Sequence, residues 1–428
     1  MLLGTSKYNA AGHLEIGGVE VRDLAEQYDT PLFIYDIKHV KNTINNFKKI
    51  FVEQGVAYKI KFASKAFCNV SFYELLAREG VGCDVVSAGE LYTALRGGIE
   101  ASEIEFHGNN KTPDELEYAL SEGVVIVIDN FLELALINEI AEELDVQVTA
   151  QMRVAPGVEA ATHDAIKTGQ VDSKFGFDVQ SGQHTEALKM ILNESPRINL
   201  TGIHCHIGSQ IFDTSGFVEE VKVMFEILKS WKEEFGFEST TLNVGGGFGV
   251  HYTEEDAPVA PEEFVKIIVE TAKNYFDKLP EIWIEPGRSL VAEAGTTLYT
   301  VGSQKVIPGI NHYVSIDGGM GDNLRPALYG SLYEAYPAIK PESEIISVDI
   351  CGKYCESGDI IIRRAQLPTL NAGELLAVNS TGAYGYSMST NYNRNLKPAV
   401  VFVEDGESRL VARRETFEDQ IRLEVENG

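Results

Sequence analysis

The chain has 428 residues, room at about 150 residues per domain for two or three domains. Hydrophobic residues make up 44% and charged residues 23%, a balance that excludes a disordered or collagen-like chain. With 36 Lys and Arg against 64 Asp and Glu the net charge is −28, which argues against nucleic acid phosphates and membrane lipid as partners.

At the start, Leu14–Ile16 and residues 19–21 flank Gly17 and Gly18 and read as short strands. From about Tyr58 to Glu285, short runs rich in β-branched residues alternate with amphipathic stretches, the rhythm of βα units. Strands are predicted near Tyr58–Ala63, 81–86, Ile104–Phe106, 124–128, 148–154, 200–205, 240–244 and 282–284. Eight such strands close a parallel barrel. Between them, Ser87 with Glu90 and Thr112 with Glu115 look like capping boxes, the second with Pro113 at the first helical position. Phe217, Val221, Met224, Phe225 and Leu228 recur at helical spacing and predict one buried face. After about Leu290 strands and turns take over: 313–316, 345–350, 360–363, 375–379 and 400–403, then an Asp405-Gly406 turn before 409–412. The fold class that follows is α/β. A (β/α)8 TIM-like barrel is expected over residues 36–289. A mainly antiparallel β domain is expected from residues 1–35, with the N-terminal strands, and 290–428.

Five cysteines, spread out and odd in number, do not read as a disulfide framework. Residues 1–6 lack the start of a secretory signal, and no apolar run nears the roughly 18 residues that span a bilayer. A reducing, cytoplasmic setting is expected.

Barrel active sites lie at the C-terminal ends of the strands, and polar residues fall at almost every predicted strand exit. Lys65 follows the first strand, Ser87 the second, Asn109 and Lys111 the third, and Arg153 closes the fifth. His206 and Ser209 follow the sixth, Gly245, Gly246 and Gly247 the seventh, and Glu285 with Arg288 the eighth. A lysine buried among apolar neighbours can keep an uncharged amine able to form an imine with an aldehyde, one reading of Lys65. Taken alone, the segment favours a surface lysine that ends a strand. The glycine run lets backbone amides approach a phosphate, although a tight βα turn would also explain it. His204 and His206 share one face of a strand, a spacing metals use. No other strand end supplies an obvious His or Cys, so no metal is expected. Glu285 could hold a ring nitrogen protonated, or simply pair with Arg288 across the turn.

Ten runs occur in an order that carries a resemblance: FASKAF, CDVVSAGEL, FHGNNK, DSKFG, HCHIGSQ, NVGGGFG, EPGR, DNLRPALYG, CGKYCESGD and TGAYGYSMSTNYN. Over roughly residues 10–415 the chain resembles the fold type III pyridoxal-phosphate decarboxylases, and among them the diaminopimelate decarboxylases. The resemblance implies pyridoxal 5'-phosphate as cofactor, carried covalently by Lys65. It implies that His206 stacks on the ring, Ser209 with Gly245, Gly246 and Gly247 holds the phosphate, and Glu285 pairs with the pyridine nitrogen. Gly287, Arg288 and Tyr384 complete the implied cofactor set. Arg288, Arg325, Tyr329, Glu356 and Tyr384 are implied to bind substrate. Cys355 is the implied proton donor, reaching with Glu356 across a homodimer interface, so that Lys65, Cys355 and His206 form the catalytic set. The implied reaction converts meso-2,6-diaminopimelate to L-lysine and CO2, the last step of lysine biosynthesis. The family's usual runs differ at 163–169 and 393–398, which leaves decarboxylation of another basic amino acid, such as carboxynorspermidine, as an alternative. A second alternative is a non-catalytic, decarboxylase-like binding protein, against which Lys65, Cys355 and Glu285 stand together.

Overall fold

The structure, a computed structural model, describes residues 1–157, 173–341 and 344–425. The 163–169 run and Asp172 of DSKFG lie outside the described residues. Two compact units are present: Thr43–Val250 with Pro258–Ser289, and Met1–Asn42 with His251–Ala257 and Leu290–Gly428.

The first unit is a closed barrel. Its strands are β1 (Tyr58–Ala63), β2 (Gly82–Val85), β3 (Ile104–Phe106), β4 (Val125–Ile128), β5 (Val148–Ala155), β6 (Ile198–His204), β7 (Thr241–Asn243) and β8 (Glu281–Ile284). Each pairs in parallel with the next, and β8 returns to β1 with Trp283 opposite Lys59. Helices cover the outside of such a barrel, so its strands are buried on both faces and read as apolar runs rather than alternations. The capping chemistry starts the helices where the sequence places it. Thr112 and Glu115 make a reciprocal capping box behind Pro113. Ser87 accepts the Glu90 N–H, but Glu90 reaches one residue further back, to the Val86 N–H, so the Ser87 box is only half formed. On the helix Ser215–Phe235, Phe217, Val221, Met224 and Leu228 are buried as their spacing predicts, while Phe225 is half-buried against Tyr275.

One feature of the barrel is not apolar. Lys61, Asp84, Glu105, Gln151, His204 and Asn243 are buried on its strands. Asn243 and Glu105 meet from the non-adjacent strands β7 and β3, so the barrel interior carries a polar layer.

The second unit holds a mainly antiparallel sheet, in the order 360–368, 345–351, 311–316, 295–307, 32–36, 399–404, 407–412. Leu32–Asp36, unpredicted as a strand, lies near its centre, antiparallel to Gly295–Ile307 and parallel to Ala399–Glu404. It escapes a search for alternation because all five residues are buried. The strand Gly295–Ile307 is likewise unpredicted. The predicted N-terminal strands form a small sheet of their own, where Leu14 and Ile16 pack on Leu32, Ile34 and Val401. Val21, expected to end a strand, opens the helix Val21–Tyr28. The Asp405-Gly406 turn has φ of 48° and 87°, the two left-handed residues of a tight hairpin. Among the described residues no helix is long and apolar enough to cross a membrane.

Candidate active site

Glu285 follows β8 and lies buried at the end of the barrel. His204 Nε2, at the end of β6, donates to its Oε2 at 3.0 Å. His107, one residue past β3, brings Nε2 to 3.0 Å from Oε1, and the Asn243 amide donates to Oε1 at 2.8 Å. Burial opposes a charge on Glu285, yet the two imidazoles and their N–H groups hold its carboxyl well below the usual range. Burial pushes both imidazoles down, His204 to about 4, so they face the carboxylate as neutral rings.

The glycine loop begins two residues past β7. A Cβ on Gly245 would stand 2.6 Å from the Cys205 carbonyl oxygen, and one on Gly246 or Gly247 would collide with the carbonyl of Glu285 or Gly208. Only bare backbone fits there. His206 is half-buried and its Nδ1 accepts the Gly246 N–H at 3.3 Å. Burial and then the Lys65 charge keep its pKa well below the ordinary histidine value, so the ring is neutral. Arg288 is buried and donates from Nε and Nη2 to the Ser209 hydroxyl, at 3.2 and 3.1 Å. Gly287 leaves no room for a side chain against Ala63.

Lys65 takes the surface position that its segment favours. It sits on the short turn Ser64–Ala66, whose flanking Ser64 and Ala66 are buried, but its own side chain is exposed. The three-residue turn packs its ends into the barrel wall and leaves the middle residue outside that packing. Its charge still reaches the site: it opposes the burial and the Glu285 charge that raise the Asp84 carboxyl to about 8, and it adds to the burial that lowers His206. Two other strand-exit residues serve the scaffold. Ser87 caps a helix, and Lys111 is buried with Nζ bonded to Gly108 O, Val127 O and Glu133 at 3.0, 2.9 and 2.7 Å. Arg153 lies 3.9 Å from Asp129 and over the Phe175 ring.

In the second unit, Arg325 is buried with its guanidinium over the rings of Tyr252, Tyr329 and Tyr384, at 6.0, 5.3 and 5.2 Å. Nη2 donates to Ser331 at 3.3 Å, whereas Nε has no hydrogen-bond partner among the described residues. A buried, unsatisfied guanidinium N–H is costly to leave alone and suits an anionic ligand. Tyr384 is half-buried with φ of 63°, a conformation few tyrosines adopt. Cys355 and Glu356 are exposed; the Cys355 N–H bonds Asn393 at 2.8 Å, and Glu356 accepts from Tyr392 at 3.4 Å.

Comparison with known proteins decides the family. Residues 37–292 match the family model described as pyridoxal-dependent decarboxylase, pyridoxal binding domain. The chain is 52% identical to diaminopimelate decarboxylase of Bacillus subtilis, covering 99% of this chain and 98% of that protein. The chain belongs to the diaminopimelate decarboxylase family. The Bacillus methanolicus member is 53% identical over 96% of both chains. A solved diaminopimelate decarboxylase from M. jannaschii in complex with L-lysine superposes with a TM-score of 0.93 at 36% identity, covering 100% of this chain and 99% of that one.

The site of this decarboxylase fits a pyridoxal phosphate. A carboxylate has about four acceptor positions, and the hydrogen bonds from His204 and Asn243, with His107 Nε2 close beside Oε1, leave Glu285 room for a ring N–H. The glycine turn admits backbone alone, as a phosphate cradle requires. His107 was missed from sequence, although its place just past β3 marked it as a strand exit. With it, His107, His204 and Glu285 stand as close as metal ligands would, contrary to the expectation that no strand end supplies a further His.

Proposed function

We propose that this chain decarboxylates meso-2,6-diaminopimelate to L-lysine, the reading its family membership supports, with the buried Arg325 as the observation that carries the substrate class. When bound, pyridoxal phosphate supplies an aldehyde that takes an amine and a ring that draws electrons from the bond to the departing carboxylate. Lys65 would hold it covalently, His206 would lie against the ring, and Ser209 with Gly245, Gly246 and Gly247 would take the phosphate, beside Gly287 and Arg288. Glu285, kept charged by its two imidazoles, would hold the ring nitrogen protonated. Arg325, with Tyr329 and Tyr384 against it, pairs the substrate's distal carboxylate, and Glu356 its distal ammonium. Without that carboxylate the guanidinium stays unpaired, which disfavours lysine or ornithine as substrate. Cys355 delivers a proton to the carbon that loses CO2.

The exposed Cys355 and Glu356 support a homodimer in which each chain completes its neighbour's site. Five free thiols support a reducing cytoplasmic setting. The test is CO2 release by the holoenzyme from meso-diaminopimelate, L-lysine, L-ornithine, L-arginine and carboxynorspermidine. The first should be consumed at least a hundredfold faster than the rest. Faster release from any of the others sinks the assignment.

A further inference from the structure

We propose that Asn243 is a positioning residue whose single side chain sets the distance between Glu285 and the glycine loop. The inference rests on the reading above, in which Glu285 serves the ring nitrogen and the loop the phosphate. Asn243 is the last residue of β7 and is fully buried. Its amide nitrogen donates to Glu285 Oε1 at 2.8 Å and to Glu105 Oε1, from across the barrel, at 3.1 Å. Its Oδ1 accepts the Gly245 N–H at 3.0 Å. Both amide hydrogens and the oxygen are therefore used, and a flipped amide would turn its oxygen on two carboxyls and its NH2 on an N–H.

The backbone repeats the tie, because the Glu285 N–H donates to Gly245 O at 2.7 Å. Burial, and then the Glu285 charge, raise the Glu105 carboxyl well above the usual range, so it meets Asn243 as a neutral acid and does not compete for its charge. A pyridine ring is rigid, and its nitrogen and phosphate lie on different edges. The carboxylate and the phosphate cradle must then be held at one fixed separation before the cofactor arrives, which is what Asn243 does.

The test titrates pyridoxal phosphate into cofactor-free wild type, Asn243→Ala, Glu285→Gln and the double variant, following the visible band. Each single variant should weaken binding at least tenfold. The double variant should fall at least fivefold short of the product of the two losses, because Asn243 works through Glu285. Losses that multiply, or an Asn243→Ala variant that binds as wild type while Glu285→Gln does not, overturn the inference. A Glu285→Gln variant that binds normally removes the reading beneath it, and the inference falls with that reading.

Asn243→Asp, which keeps the size and the acceptor for Gly245, serves if the alanine variant does not fold. Its new carboxyl would face Glu105, Glu285 and His204, with Lys61 and Asp84 on the strands between β8 and β3. It can donate to Glu285 only while protonated, so its affinity relative to wild type should fall as pH rises. A ratio that is constant with pH contradicts the role.

Discussion

Glu285 is a carboxylate kept charged where burial alone would neutralise it, and Lys65 is a lysine kept reachable on a turn whose other residues are buried. Both were legible as strand-exit residues, because a strand's last residues and its first loop residues are adjacent in sequence. Their pairing was not. His107, His204 and Asn243 come from three other strands or strand exits, and nothing in a linear reading brings positions 42, 81 or more residues away onto one carboxylate. Lys65 carries the prediction at this scale. Borohydride reduction of the holoenzyme, followed by peptide mass spectrometry, should find the cofactor on the Lys65 peptide. Lys65→Ala should carry no reduced cofactor and lose about three orders of magnitude in turnover. Reduced cofactor on another lysine of the wild type would refute the role.

The helix Ser215–Phe235 shows what the elements carry beyond their periodicity. Its apolar stripe was plain from spacing, but Glu220 on the same buried face was not. This carboxyl lies against the Cys205 thiol, and burial pushes it up to about 8. An unfolded chain releases that proton near the ordinary glutamate value, whereas the folded chain keeps it until about pH 8. The group therefore lowers folding stability progressively as pH rises through that window. Glu220→Gln removes the titration. Thermal or denaturant unfolding should show the variant gaining on wild type from pH 5 to pH 8, by on the order of a few kcal/mol at the upper end. A difference that does not change with pH would contradict this.

Strands were read less evenly than helices. The barrel strands stand out because parallel, two-sided burial makes them short, largely apolar runs set between helices, despite the polar layer inside. Gly295–Ile307 was hidden, because its first residues are buried and its last largely exposed, so no single period describes it.

Across the whole molecule, the proposed role of Cys355 would bring the acid of the reaction from outside the barrel. Cys355 and Glu356 lie in the second unit, far in sequence from every barrel motif, and are exposed in the single chain. Lys65→Ala and Cys355→Ala homodimers should both be nearly inactive. A heterodimer of the two, purified through different tags, should regain about half of the wild-type activity, since both lesions then fall in one of its two sites. Activity no higher than that of either parent would place the segment's action within its own subunit or outside catalysis. Decarboxylation of meso-diaminopimelate by this chain replaces a carboxylate with a proton from solvent. Turnover of that substrate by the holoenzyme in D2O, with the product examined by mass spectrometry and proton NMR, follows that replacement. L-Lysine should emerge one mass unit heavier, its single carbon-bound deuterium on the ε-carbon, where CO2 was lost. Unconsumed diaminopimelate, or lysine with no deuterium at that carbon, would contradict the replacement.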